Sequence, residues 1–133
     1  MALKYIMEKE SRGLTTAREL CDHFGTPFDT TAKVLQIMNQ NDILGSVKGI
    51  NGGYALKMSL SNVSFNELTK IIDGKNHTDH FCHGTKGLCE LSKTCNIATP
   101  LDTLNKKIKN YLNTISLQDL LGGESMKNVS ENI

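Results

Sequence analysis

The chain has 133 residues, 38% of them hydrophobic and 5% aromatic, with no tryptophan, which suits one small domain or one domain with an appendage. Fifteen Lys and Arg against fourteen Asp and Glu leave a formal charge of +1, so bulk charge announces no polyanionic partner. No run reaches the roughly 18 apolar residues of a spanning helix and Met1 opens no signal-peptide pattern; no membrane association is expected, and a cytoplasmic location is.

The first segment, Ala2-Leu3-Lys4-Tyr5-Ile6-Met7, carries apolar residues at helical spacing but starts without a cap, as a helix lacking its first turns. Gly13 and Leu14 break it. Thr16-Ala17-Arg18-Glu19 then reads as a capping box, a Thr oxygen for an orphan amide and a Glu reaching back. The helix it opens stacks Ala17, Leu20, Cys21 and Phe24 along one stripe, and Gly25 ends it. After Gly25-Thr26-Pro27-Phe28, a third helix is expected from Asp29 or Thr30 to about Asn41. Val34, Leu35, Ile37 and Met38 form its apolar side; Thr30, Thr31, Lys33 and Gln36 form a polar side rich in hydrogen-bonding groups. Two helices joined by a short Gly-containing turn define a helix-turn-helix.

The period then changes from helical to alternating. Ile43 to Lys48 and Tyr54 to Met58 read as short strands, and Gly49-Ile50-Asn51-Gly52-Gly53 between them as a turn of residues tolerant of positive φ. A helix-turn-helix followed by such a hairpin is a winged helix. Ser64-Phe65-Asn66-Glu67 is a second capping box, opening a helix with Leu68, Ile71 and Ile72 inward that stops at Asp73-Gly74.

Residues 75–96 have no periodicity and hold three of the four cysteines and three of the four histidines. Structureless loops of this length inside a compact domain are usually functional or disordered. From Ile97 the helical pattern returns through Leu101, Leu104, Ile108, Tyr111 and Leu112, a coiled-coil-like seam. A domain this small offers such a helix little else to pack on, so Ile97, Leu101, Leu104, Ile108 and Leu112 are expected to form a homodimer interface. Ser116 caps a last short helix through Leu121, and residues 122–133, rich in Gly, Ser and Asn, are expected to be a disordered tail. The expected organisation is a winged helix-turn-helix over 1–74, a cysteine loop over 75–96, and a dimerisation helix with its short terminal helix over 97–121.

Four cysteines are too few for a disulfide scaffold and, in a reducing compartment, point to metal or redox chemistry. Cys82, Cys89 and Cys95 are spaced too widely for a zinc knuckle. Thiolates spread along a Gly-containing loop suit an iron–sulfur cluster better, because its irons sit at separate corners. Three thiolates leave one corner for a His, Asp or Glu, a water, a small molecule or a partner's residue. Cys21, on the apolar stripe, reads as an inert small hydrophobe. Nothing reads as an enzyme: there is no identifiable Ser/His/Asp or Cys/His set, and Gly49–Gly53 lies in a hairpin rather than at a helix start.

In this order, Val34-Leu35-Gln36, Ile43 to Gly49, the Gly52-Gly53-Tyr54 wing, the three cysteines and the segment Tyr111 to Leu120 resemble the IscR/NsrR-like bacterial transcriptional regulators of the Rrf2 family. The resemblance spans about residues 2–121. It implies a mainly α winged helix with a small β-hairpin, a long C-terminal dimerisation helix, and a homodimer on double-stranded DNA at a near-palindromic operator. It also implies a two-iron or four-iron cluster on Cys82, Cys89 and Cys95 that controls DNA binding in response to iron, redox state or nitric oxide. Carried over by position, Phe28, Asp29, Thr30, Thr31 and Lys33 enter the major groove. Lys48 and Asn51 approach the minor groove or its phosphates, and Tyr54 closes the hairpin. Two departures bear on the fourth ligand. Family members usually begin upstream of this Met1, and one branch takes an Asp from that segment of the partner subunit, so either the start is truncated or the ligand differs. Another branch uses a His where this chain has Ala98, leaving His83 or His80 as the expected ligand. Lys48 stands where the family commonly has Arg, keeping the charge without the bidentate fork. The alternative reading is a winged-helix regulator without a cluster, switched by thiol oxidation or constitutive.

Overall fold

A computed structural model describes residues 1–74 and 90–123. Its elements are α1 (Ala2–Lys9), α2 (Ala17–Phe24), α3 (Phe28–Gln40), β1 (Leu44–Val47), β2 (Gly53–Leu56), α4 (Phe65–Asp73), α5 (Ala98–Thr114) and α6 (Leu117–Gly122). Short 3-10 turns lie at Glu10–Arg12, Leu60–Asn62 and Glu90–Lys93. The fold is mainly helical with one antiparallel hairpin, as the change of period predicts.

Each helix start has a local cause. Thr16 caps α2 by accepting from the Glu19 amide at 3.1 Å. The reciprocal half of the expected capping box is missing, because the Glu19 carboxylate is engaged elsewhere. It accepts from Lys9 Nζ at 2.6 and 2.8 Å and from the Tyr5 hydroxyl at 2.8 Å. Lys9 also donates to the Leu14 carbonyl at 3.0 Å, so one lysine ties α1 to α2 and to the connection between them. The Lys9 hydrogen bond holds the Glu19 carboxyl below its ordinary pKa, and the bond to Glu19 raises that of Tyr5. The box at Ser64 is complete: the Ser64 hydroxyl accepts from the Glu67 amide while the Glu67 carboxylate accepts from the Ser64 amide at 2.8 Å. Ser116 caps α6 in the same way as Thr16 caps α2.

Helix α3 starts at Phe28, one residue before the earliest expected start, with Pro27 as its N-cap. The proline ring presets the backbone angle at the entry and supplies no amide that would need a partner. At the other end the Asn41 side chain donates to the Ile37 carbonyl at 2.8 Å, and Asp42 turns the chain into β1 with φ of 61°.

Leu20 of α2, Leu35 of α3, Ile43, Leu44 of β1, Leu60 and Leu117 of α6 are all essentially inaccessible and share one core with Leu3 and Ile6 of α1. The terminal helix is therefore part of the packing of the winged helix. Its attachment is backbone pairing: Leu117 N donates to Val63 O at 2.8 Å and Phe65 N to Ile115 O at 2.9 Å. Sequence periodicity puts Leu68, Ile71 and Ile72 inward on α4, yet they are only half-buried, while Asn66 is fully buried. Asn66 donates to the Asn113 side chain of α5 at 2.7 Å, a polar contact no hydrophobic pattern signals. Gly122, counted with the tail by composition, closes α6, and Gly123 takes the left-handed cap with φ of 72°; the rest of the expected tail lies outside the described residues.

Candidate nucleic-acid interface

Helix α3 has two chemically distinct sides. Leu35 and Met38 are buried, while Phe28, Asp29, Thr30, Lys33 and Gln36 are exposed. Asp29, Lys33 and Gln36 follow at steps of four and three, which places them on one strip of the helix surface. That strip offers an acceptor, a cation and an amide, the groups that distinguish base edges in a major groove. Thr31 differs from its neighbours. It is half-buried, and its hydroxyl donates to the Pro27 carbonyl at 3.0 Å. With that proton committed, Thr31 accepts from the Thr26 hydroxyl at 2.8 Å. The side chain thus helps secure the helix start that carries Asp29 and Thr30.

Arg18 was not singled out by sequence. It lies in the first turn of α2, is exposed, and its guanidinium stands 5.9 Å from the centroid of the Phe28 ring. This cation–π contact sets a permanent positive charge beside the first residue of α3. Only the crossing of α2 over α3 brings the two together; an arginine at the start of the first helix of a helix-turn-helix was the available signal.

The wing pairs Leu44 with Leu56, Gly45 with Ala55, Ser46 with Tyr54 and Val47 with Gly53. Its tip, residues 48–52, is closed by Gly52 N donating to Gly49 O at 3.0 Å. Positive φ explains Gly49 alone, at 116°. Gly52 is needed for space: a Cβ there would lie 2.2 Å from the Val47 carbonyl oxygen. Gly53 is needed for a different approach, since a Cβ would meet the Thr15 carbonyl oxygen at 2.9 Å. At that point Thr15 and Tyr54 exchange backbone hydrogen bonds of 2.9 and 2.8 Å. The wing is thereby fixed to the segment that leads into α2. Lys48 and Asn51 are exposed at the tip, whereas Tyr54 is half-buried and packs against the core.

Of the expected cluster ligands, Cys95 is described. Its half-buried thiol is free, between the Glu90–Lys93 turn and the start of α5. Cys82, Cys89, His80 and His83 lie outside the described residues, among which no three His, Cys, Asp or Glu side chains gather as an ion site. A free, partly accessible thiol is the donor an iron–sulfur cluster takes, so this residue fits the group. Along α5, Ile97, Leu104, Ile108 and Tyr111 are exposed and Leu101 and Leu112 half-buried; no residue of the helix is fully buried.

These features define a winged-helix DNA-binding protein. A family model described as Rrf2, iron-dependent transcriptional regulator, matches residues 1–123. The chain belongs to the Rrf2 family, and it is a transcriptional regulator rather than an enzyme. It is 23% identical over 112 residues to the HTH-type transcriptional regulator IscR of Klebsiella pneumoniae (strain 342), covering 84% of this chain and 68% of that protein. The fold is similar to that of T. potens IscR, with a TM-score of 0.65 at 16% identity over 95% of this chain and 82% of that one. It is similar also to CymR (YrzC), the global cysteine regulator of B. subtilis, with a TM-score of 0.68 at 15% identity over 92% of each chain. Among the described residues no helix is long and apolar enough to cross a membrane.

Proposed function

We propose that this chain acts in the cytoplasm as a homodimer on a near-palindromic operator, with α3 in the major groove and the wing at the adjacent minor groove. An iron–sulfur cluster held by Cys82, Cys89 and Cys95, with His83 or His80 as the expected fourth ligand, controls that binding. The observation that carries the DNA contacts is the two-sidedness of α3: its buried side locks it to the core while Phe28, Asp29, Thr30 and Lys33 are left facing solvent. Dimerisation rests on the exposed apolar residues of α5. When bound, the cluster supplies a centre that responds to oxidants, nitric oxide or iron supply.

The chain's own part is to hold that centre and report on it. Cys95 stands just before Ile97, the N-cap of α5. The helix runs 17 residues, about 25 Å at the usual rise. At its far end Asn113 is bonded to buried Asn66, and Ile115 accepts from the Phe65 amide. Helix α5 packs on α4 and α4 on α3, so a displacement of the thiol end of α5 would have a contiguous packed route to α3. The two ends are joined by one rigid element rather than by a flexible chain.

Iron and acid-labile sulfide analysis of anaerobically purified protein tests the cluster. Cys89→Ala is expected to remove the iron and leave the dimer intact; unchanged iron refutes the ligand assignment. Iron-free native protein with a Cys82–Cys89 or Cys89–Cys95 disulfide establishes the thiol-switched alternative. The DNA reading is tested by the salt dependence of binding. Lys48→Ala is expected to weaken binding to every duplex and to reduce the slope of log affinity against log salt by about two, one for the Lys48 of each subunit. An unaltered slope takes Lys48 off the phosphates.

A further inference from the structure

We infer that Ile50, at the tip of the wing, is an apolar wedge that enters the minor groove and unstacks a base step. This rests on the DNA reading above and adds to it a residue that reads deformability rather than hydrogen bonds.

Ile50 is the most exposed large hydrophobic residue described in the protein, with its side chain wholly in solvent, and Val47 at the end of β1 is more than half exposed. Single exposed apolar residues are ordinary on protein surfaces; the setting of this one is not. The tip that carries it is rigid. Gly49 supplies a left-handed turn, the Gly52 amide closes the loop on Gly49 O, and Gly52 has no room for a side chain against Val47 O. The Thr15–Tyr54 pairing then ties the base of the wing to the entry of α2. A projecting β-branched side chain on such a mount has a fixed backbone and a restricted χ1, so contact requires less further ordering than a flexible loop would.

Its neighbours select the partner. Asn51 follows Ile50 directly and Lys48 stands two residues before it; both are exposed. A cation and an amide around one apolar side chain form the set with which minor-groove proteins hold phosphates, read the groove floor and pry a step open. The patch is also too small for another protein. Stable protein interfaces cover about 800 Å² on each partner, far more than Val47 and Ile50 expose, whereas a wedge needs one side chain. Flexible pyrimidine–purine steps are the easiest to open, so the wing is expected to favour TA or CA steps beside the α3 contact.

The test uses the full chain and a duplex selected by it from random-sequence DNA, with 2-aminopurine substituted stepwise beside each half-site. Wild type should brighten the probe at one step per half-site. Ile50→Asn should remove the brightening and weaken binding about 10²- to 10⁴-fold, the loss of one buried branched side chain in each of two half-sites, while keeping the salt slope. Ile50→Met should restore most of both. Equal affinity and an unchanged probe signal in Ile50→Asn overturn the inference. So does a loss of affinity that tracks a loss of self-association in sedimentation, which makes the tip a contact between copies. If wild type selects no duplex at all, the DNA reading itself falls, an outcome distinct from a duplex-binding protein indifferent to Ile50.

Discussion

Leu104→Asp combined with Ile108→Asp is expected to convert the protein to a monomer in sedimentation and to cost about 10²- to 10⁴-fold in operator affinity. The two residues are one turn apart on α5 and expose 48% and 40% of their surface in the single chain. In the proposed dimer that stripe is buried against a second copy; in the single chain the 17-residue helix leaves none of its own residues fully buried. Carboxylates at both positions would have to be desolvated opposite one another across a two-fold axis, where a contact is repeated by symmetry. Each half-site would then be bound singly, without the high effective concentration that linkage supplies. Far-UV circular dichroism should change little, because both side chains are substantially exposed in the single chain, while the melting temperature should fall by what association contributes and lose its dependence on protein concentration. A double variant that remains dimeric places the interface elsewhere.

The second large effect is expected on stability. Leu35→Ala removes a wholly inaccessible side chain from the centre of α3, and truncations of this kind cost about 3 kcal/mol or more when the site cannot collapse. Here collapse is resisted on several sides, since Leu20 of α2, Leu44 of β1 and Ile43 just before it share the same core and lie outside α3. A fall in Tm of about 10 °C is expected for a chain of this size. Lys33→Ala, on the other side of the same helix, should move stability by no more than about 0.5 kcal/mol while weakening DNA binding. Urea unfolding of the two variants separates the sides of α3. If Leu35→Ala unfolds within 1 kcal/mol of wild type, a cost about threefold below expectation, the burial assigned to that side is wrong.

Much of the fold was legible because its signals are local. The complete box at Ser64–Glu67, the left-handed Gly25 stop and the change from helical to alternating period each depend on residues within a few positions of one another. The box at Thr16–Glu19 misled by half for the opposite reason. Glu19 has the right spacing to reach back, but Lys9 and Tyr5, from another helix, offer its carboxylate a charge-assisted pair of partners. The turn glycines divide similarly. Gly49 could be understood from its backbone angle, whereas Gly52 and Gly53 are held to glycine by carbonyl oxygens, and for Gly53 that oxygen belongs to Thr15, far away along the chain.

By itself the amino-acid order determined which segments become helices and strands, the apolar side of α3, the apolar stripe of α5 and the wing hairpin, since periodicity and capping are properties of neighbouring residues. Tertiary structure alone decided that Arg18 stands over Phe28, that the Thr31 hydroxyl serves its own helix start, that Asn66 bonds Asn113, and that Thr15 anchors the wing. Those contacts arise where separate elements cross. Their angle and register follow from how the core side chains interlock, which no spacing along a single segment encodes.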